Sequence, residues 1–310
     1  MEDHRQRIVA AVAGDEAHAL LQFAAQEAVR TGSELHLVHV MKMPPALPDS
    51  YHQAYKTARG FGRLILDRAT REARDLVAGQ VSITHELIED SRGTVNDLVA
   101  RSEDARLIVL QHRDLAGVRR LTSGSTTAGV ASRAHAPVVS VPESWRASDS
   151  PHGRVTVALR EASRAEDTLR AAFQAAHERH DALRVLHTWW LANGYDAVVV
   201  DDDMRADWER RFRNAIAPGI RELRGRYPDV PVEVDVQHAP IEMALSVAAD
   251  TSDLVVLGRR HPRLPWGSHL GPVARHALRA SEVPVLLVET APSEPVDSPG
   301  TGREIHQGHE

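Results

Sequence analysis

The stretch Leu107-Ile108-Val109-Leu110, running through a polar loop to Gly124-Ser125-Thr126, a short helical run and Pro137-Val138-Val139-Ser140-Val141, decides the fold because it occurs twice. The second copy opens Leu254-Val255-Val256-Leu257, passes Gly258 and Gly271, and closes Pro284-Val285-Leu286-Leu287-Val288. Leu107 to Leu254, Gly124 to Gly271 and Pro137 to Pro284 are each 147 positions apart. One offset shared by a strand, a glycine and a proline marks an internal duplication whose copies both end in a strand, loop, helix, strand unit.

Working outward, Ile8 to Val12 is a short apolar run bounded by charge and by Gly14-Asp15, the pattern of a strand buried on both faces. Ala17, Leu20, Leu21, Ala24, Ala25 and Ala28 follow at helical spacing, and Thr31-Gly32 ends that helix. Leu35 to Val40 is a second strand. After Pro44, Pro45 and Pro48, the residues Phe61, Leu64, Ile65, Ala69 and Leu76 predict a longer helix. Val81 to Leu87 alternates like a half-covered strand, Gly93 to Arg101 predicts a short helix, and the duplicated stretch completes the half. Strands alternating with helices imply a doubly wound parallel sheet.

Ser144 to Gly153 is a polar linker, after which the plan restarts. Val155 to Leu159, Leu183 to His187 and Val230 to Val236 predict strands; Leu169 to Ala176, Trp208 to Ile220 and Ile241 to Ala249 predict helices, with Pro218 a kink or break in the longest. The domains therefore span 5–142 and 153–289, with 290–310 a tail whose Pro, Ser, Gly and charge predict disorder. Ala197 to Val200 has no counterpart in the first half and reads equally as a small extra strand or a packed loop.

Composition bounds the function. The chain has 310 residues, 42% apolar and 26% charged, a soluble globular balance with length for two cores. The net charge of −6 and the lack of a basic block argue against nucleic acid, and no apolar run reaches a membrane span of ~20 residues. The absence of cysteine excludes disulfides, thiolate metal sites and thiol nucleophiles, and fits a cytoplasmic protein. There is no Gly-x4-Gly-Lys-Ser/Thr, no Gly-x-Gly-x-x-Gly after a strand and no Gly-x-Ser-x-Gly. The 18 histidines include no His-Glu-x-x-His, so no metal site and no catalytic residue is assigned. Asp201-Asp202-Asp203 suits a helix start better than a cation. Trp189-Trp190 falls near the predicted cleft mouth, where a ring either packs or stacks on a base.

In an open parallel sheet ligands bind beyond the strand C-termini where the strand order reverses, which places the duplicated loops at that crevice for an order of 3-2-1-4-5. Thr122-Ser123-Gly124-Ser125-Thr126-Thr127 has the composition of an anion site at a helix start, and equally of an N-cap cluster. Arg259, Arg260, His261 and Arg263 crowd the second loop, as a phosphate grip or as a solvated cationic loop.

At these residues the chain resembles a tandem universal stress protein, over roughly residues 5 to 289. The fourth-strand apolar run, the glycine before the last helix, the Pro-Val-x-x-Val ending, and the histidines His39 and His187 near the ends of the second strands carry the resemblance. It implies five-stranded domains of order 3-2-1-4-5, packed through their fifth strands as an intrachain pseudo-dimer, with homodimerisation and an unidentified protein partner also open. It implies ATP binding through Gly-x2-Gly-x9-Gly-Ser/Thr and an Asp at the end of the first strand. Here Gln111 and Asp114 stand where the first two glycines belong, ahead of Gly124-Ser125; in the second half Gly258 and Gly271 are kept, His261 and Pro272 replace glycine and hydroxyl, and Ala13 and Arg160 replace the Asp. The candidate nucleotide residues are thus Gly258, Arg259, His261, Gly271, Gly124 and Ser125. The leading expectation is a non-enzymatic protein with divergent ATP loops, against a nucleotide sensor using the second domain, or a weak nucleotide hydrolase.

Overall fold

The computed structural model describes residues 7–43, 50–89, 92–112, 126–148, 151–190, 200–260 and 270–290. The first domain runs β1 (Arg7–Ala11), α1 (His18–Thr31), β2 (Glu34–Val40), α2 (Tyr51–Val77), β3 (Ile83–Ile88), α3 (Thr94–Arg101), β4 (Ala105–His112), α4 (Thr126–Ala131) and β5 (Val138–Pro142). The second repeats it as β6 (Arg154–Leu159), α5 (Glu166–Arg179), β7 (Ala182–Trp189), α6 (Asp202–Arg226), β8 (Val232–His238), α7 (Ile241–Ala249), β9 (Leu254–Arg260), α8 (Pro272–Ala280) and β10 (Val285–Thr290).

Ten strands form one sheet in the order β3-β2-β1-β4-β5-β10-β9-β6-β7-β8. Each half keeps the order 3-2-1-4-5 with parallel neighbours, and the halves meet where β5 pairs antiparallel with β10, Val139 opposite Leu286. Two exposed sheet edges are thereby removed at once. Because that one pair is antiparallel, the strand C-termini of the two domains point to opposite edges of the sheet. One apolar cluster joins α1, α2, α5 and α6 over one face, and another joins α3, α4, α7 and α8 over the other. Val138, Val141, Val285 and Leu287 are fully buried at the join. At about 1.5–3 kcal/mol per buried aliphatic side chain, apolar burial dominates the seam.

Three details differ from the sequence reading. Phe61 and Leu64 are 63% and 58% exposed, because α2 buries Gly62, Leu66, Ala69, Thr70, Ala73 and Val77 instead. Small residues set that face, and a Cβ on Gly62 would stand 2.7 Å from Leu87 Cδ1 and 3.2 Å from His39 Cδ2. The helix α6 runs unbroken through Pro218, with Phe212, Ile216, Ile220 and Leu223 buried on either side of it. The strand β9 continues past Leu257 to Arg260.

The linker is tied down. Trp145 packs edge-on to Phe23, ring centroids 5.7 Å apart, and Ala147 N donates to Gln22 Oε1 at 3.1 Å. Beside it Glu27, 5% exposed, accepts from Arg179 Nη2 at 2.6 Å and from Arg30. A cavity of about 1100 Å³ opens here, and of the described candidate residues Gly258, Arg259 and Gly271 none lines it.

Candidate functional site

The strand order reverses between β1 and β4 in the first domain and between β6 and β9 in the second. These are the two crevices, and their walls differ. In the first, Gln111 near the end of β4 sends Nε2 across to the backbone carbonyl of Glu16, beyond β1, at 2.7 Å. The side chain bridges the crevice. Its counterpart 147 positions on is Gly258, which has no side chain to do so and whose backbone is exposed.

Gly258 has a packing role as well. A Cβ there would stand 2.8 Å from both Thr168 Oγ1 and Thr290 Cγ2, so the first turn of α5 can approach β9 only over a glycine. Gly271 is under no such constraint. It is the N-cap of α8, with φ −63° and ψ 166°, and a Cβ on it would meet nothing within 4 Å among the described residues. Pro272 at the first helical position has no N–H, so first-turn donors begin at Val273.

Arg259 is corrected from loop to strand. It lies in β9, 2% exposed, and Nη2 donates to Ala134 O in the turn before β5 and to Glu289 Oε2 at 3.3 Å. Burial pulls its guanidinium below the ordinary arginine value, and Glu289 opposes that shift. The residue is a tie between domains. Its first-domain counterpart, His112, bonds Ser140 Oγ through Nδ1 at 2.8 Å. Gly124, Ser125 and His261 lie outside the described residues, as do Asp114, Arg263 and the disorder expected of 290–310 beyond Thr290. Of the Ala197 to Val200 run only Val200 is described, and it is buried.

A cation among the described residues at the second crevice is Arg160, one residue beyond β6 and 78% exposed, with Nε 3.6 Å from Glu161 Oε1. It stands where the first-domain chain has Ala13. Asp201 caps α6 by accepting from Met204 N at 2.8 Å, with Asp202 and Asp203 in the first turn, the expected helix-start role. His39 and His187 make the same contact in both halves. Each donates from Nδ1 to a carbonyl at the end of the first strand, Val12 O just past β1 at 2.7 Å and Leu159 O closing β6 at 3.0 Å, which fixes the tautomer of both rings. Among the described residues no cluster of three or more His, Asp or Glu could hold a metal ion, and no helix is long and apolar enough to cross a membrane.

Fold and crevices together define a tandem, doubly wound α/β protein with a reversal of strand order in each half. The sequence model of the universal stress protein family matches residues 4–142 and again 152–289, and the chain belongs to that family. A universal stress protein of Mycobacterium tuberculosis is 26% identical over 296 residues, covering 87% of this chain and 90% of its own. One of Mycolicibacterium smegmatis is 25% identical over 283 residues, covering 88% and 93%. Among solved structures, a universal stress protein of Archaeoglobus fulgidus superposes with a TM-score of 0.64 at 16% identity, covering 92% of this chain and 97% of that one. A putative universal stress protein of Pseudomonas aeruginosa gives 0.59 at 17% identity, covering 92% and 94%. These likenesses support the fold.

Proposed function

We propose that the chain is a non-enzymatic, cytoplasmic stress protein that binds an adenine nucleotide, ATP in the first instance, in its second domain, while the first-domain crevice is vestigial. The observation carrying this reading is the contrast between Gln111, which spans the first crevice to Glu16 O at 2.7 Å, and Gly258, which has no side chain to span the second. Gly271 at the start of α8 adds an open backbone approach at the positive end of a helix dipole. Arg160 supplies an exposed cation that favours a polyphosphate, in place of the carboxylate the family pattern has there. Arg259 has no part in the site. The non-enzymatic half of the proposal rests on the sequence, which has none of the P-loop, Rossmann or nucleophile-elbow motifs.

Titration calorimetry with Mg-ATP tests it. Wild-type protein gives a saturable heat, and Gly271→Asp, which the backbone accommodates, loses it through charge repulsion. No heat from the wild type at millimolar nucleotide sinks the proposal and leaves both crevices vestigial. Native mass spectrometry of freshly purified protein reads co-purifying nucleotide and the number of chains in one measurement.

A further inference from the structure

The two halves differ at one corner, and the difference is chemical. At the ends of β7 and β8 four rings stand in succession. Trp208 stacks on Trp189 with centroids 5.4 Å apart and planes 18° from parallel. Trp189 tilts against His238 at 4.3 Å, and His238 stacks on Trp190 at 4.9 Å and 27°. Trp189 is 8% exposed, whereas Trp190 is 48% exposed. In the first domain the matching corner, at the end of β3 and the start of α2, is ionic: Glu89 accepts from Tyr55 Oη and from Arg59 Nε at 2.7 Å. Lys42 stands where the second domain has Trp190.

The position matters as much as the composition. Trp189 and His238 are the last residues of β7 and β8 and are paired in register. All strands of the second domain are parallel, so this corner shares its edge of the sheet with Gly258 and Arg160. The strand β7 adjoins β6, a wall of the crevice, and lies two strand spacings, about 10 Å, from β9. A half-exposed tryptophan costs hydrophobic free energy unless something covers it, and an indole held by a stacked ring presents a flat apolar face to a planar partner.

We propose that Trp190, held by His238 against Trp189 and Trp208, is the stacking platform for the base of the ligand, making the second domain selective for planar heteroaromatic groups. This rests on the nucleotide reading above and adds a base-recognition residue to it. Trp189, buried, and Trp208, 42% exposed on the far side of it, are positioning groups; Trp190, at the other end of the row, touches the ligand. Among the described residues the corner of the first domain is built instead from Lys42 and the Glu89, Tyr55 and Arg59 cluster.

The test separates the base from the phosphates. Adenosine, tripolyphosphate and Mg-ATP are titrated into wild type, Trp190→Leu, Trp190→Phe and Gly271→Asp, reading calorimetric heat and tryptophan emission. Adenosine quenches wild-type emission. Trp190→Leu raises the Kd for adenosine and Mg-ATP about tenfold while leaving tripolyphosphate unchanged, and Trp190→Phe restores most of the affinity. Equal adenosine and Mg-ATP affinities in wild type and Trp190→Leu overturn the platform and leave the nucleotide reading standing. Trp190-dependent adenosine binding, with no tripolyphosphate binding and no effect of Gly271→Asp, upholds the platform and overturns the phosphate site. Absence of binding by any of the three ligands overturns both.

Discussion

His187 lies flat on Phe212, with ring centroids 3.8 Å apart and planes 2° from parallel. In the first domain the equivalent histidine, His39, faces Gly62, and the space is taken by Leu87. Where the second half has an aromatic ring on the long helix it has the smaller Val236 on its third strand, so volume is exchanged between helix and strand. Gly62→Ala is therefore expected to cost about 1–3 kcal/mol by overpacking. Adding Leu87→Val, which trims the side chain that a Cβ would meet at 2.7 Å, recovers a large part of it. Urea unfolding of the two single variants and the double variant measures the coupling, and additive losses would show that the two sites do not share one space.

Burial holds the His187 imidazole below its ordinary value of 6.5, against the bond to Leu159 O, and burial lowers His36 too. A depressed histidine binds its proton more weakly folded than unfolded, so the unfolded chain takes up more protons as the pH falls below 6.5. Stability is full above that value and declines as the pH drops toward the folded-state values. Thermal melts from pH 8 to pH 5 follow the decline, and His187→Gln flattens part of it. A wild-type midpoint that stays constant across this range contradicts the assignment.

Arg259 Nη2 joins the end of β9 to Ala134 O across the domain boundary. Arg259→Met keeps the apolar stem but leaves a carbonyl in the seam without that donor, at a cost of about 2 kcal/mol. Glu289, 35% exposed, regains water and adds little to the loss. Chemical denaturation gives the number, and a variant as stable as wild type would mean that the seam relaxes to admit water.

The two candidate glycines answer differently to substitution. Gly258→Ala places a Cβ 2.8 Å from Thr168 and Thr290 and is expected to cost about 1–3 kcal/mol, while Gly271→Ala, with an ordinary φ and no described neighbour in the way, costs only the N-cap preference of glycine over alanine, under about 1 kcal/mol. Equal destabilisation by both would count against the described geometry of α8. The contrast also dictates which variant is fit for binding work, since only Gly271 separates ligand effects from folding.

Much of the architecture was legible in the residues. The repeat placed all ten strands, and the resemblance placed the pairing of β5 with β10, whose antiparallel sense the structure adds. The misses share a cause. Periodicity weighs a face by its large apolar side chains, so it chose Phe61 and Leu64 for the core, while α2 buries a face of Gly62, Ala69 and Ala73 whose value lies in being small. Arg259 read as loop because charge usually ends a strand, yet a guanidinium can be buried when it finds acceptors on a neighbouring domain. Gln111 was seen only as a missing glycine; that its amide reaches Glu16 depends on the distance between β1 and β4, which no local pattern encodes. The aromatic corner was glimpsed in Trp189-Trp190, but Trp208 and His238 join it only through the fold.

Joining the fifth strands within one polypeptide has a consequence for how such a molecule can change over generations. In an assembly of two identical chains every substitution appears on both sides of the axis, so a residue suited to one side must be tolerated on the other. Here Arg259 meets Ala134 once, while its counterpart His112 is free to serve Ser140 instead. A covalent pair can therefore drift apart at mirrored positions while its seam stays matched. One half is released to become a scaffold while the other specialises.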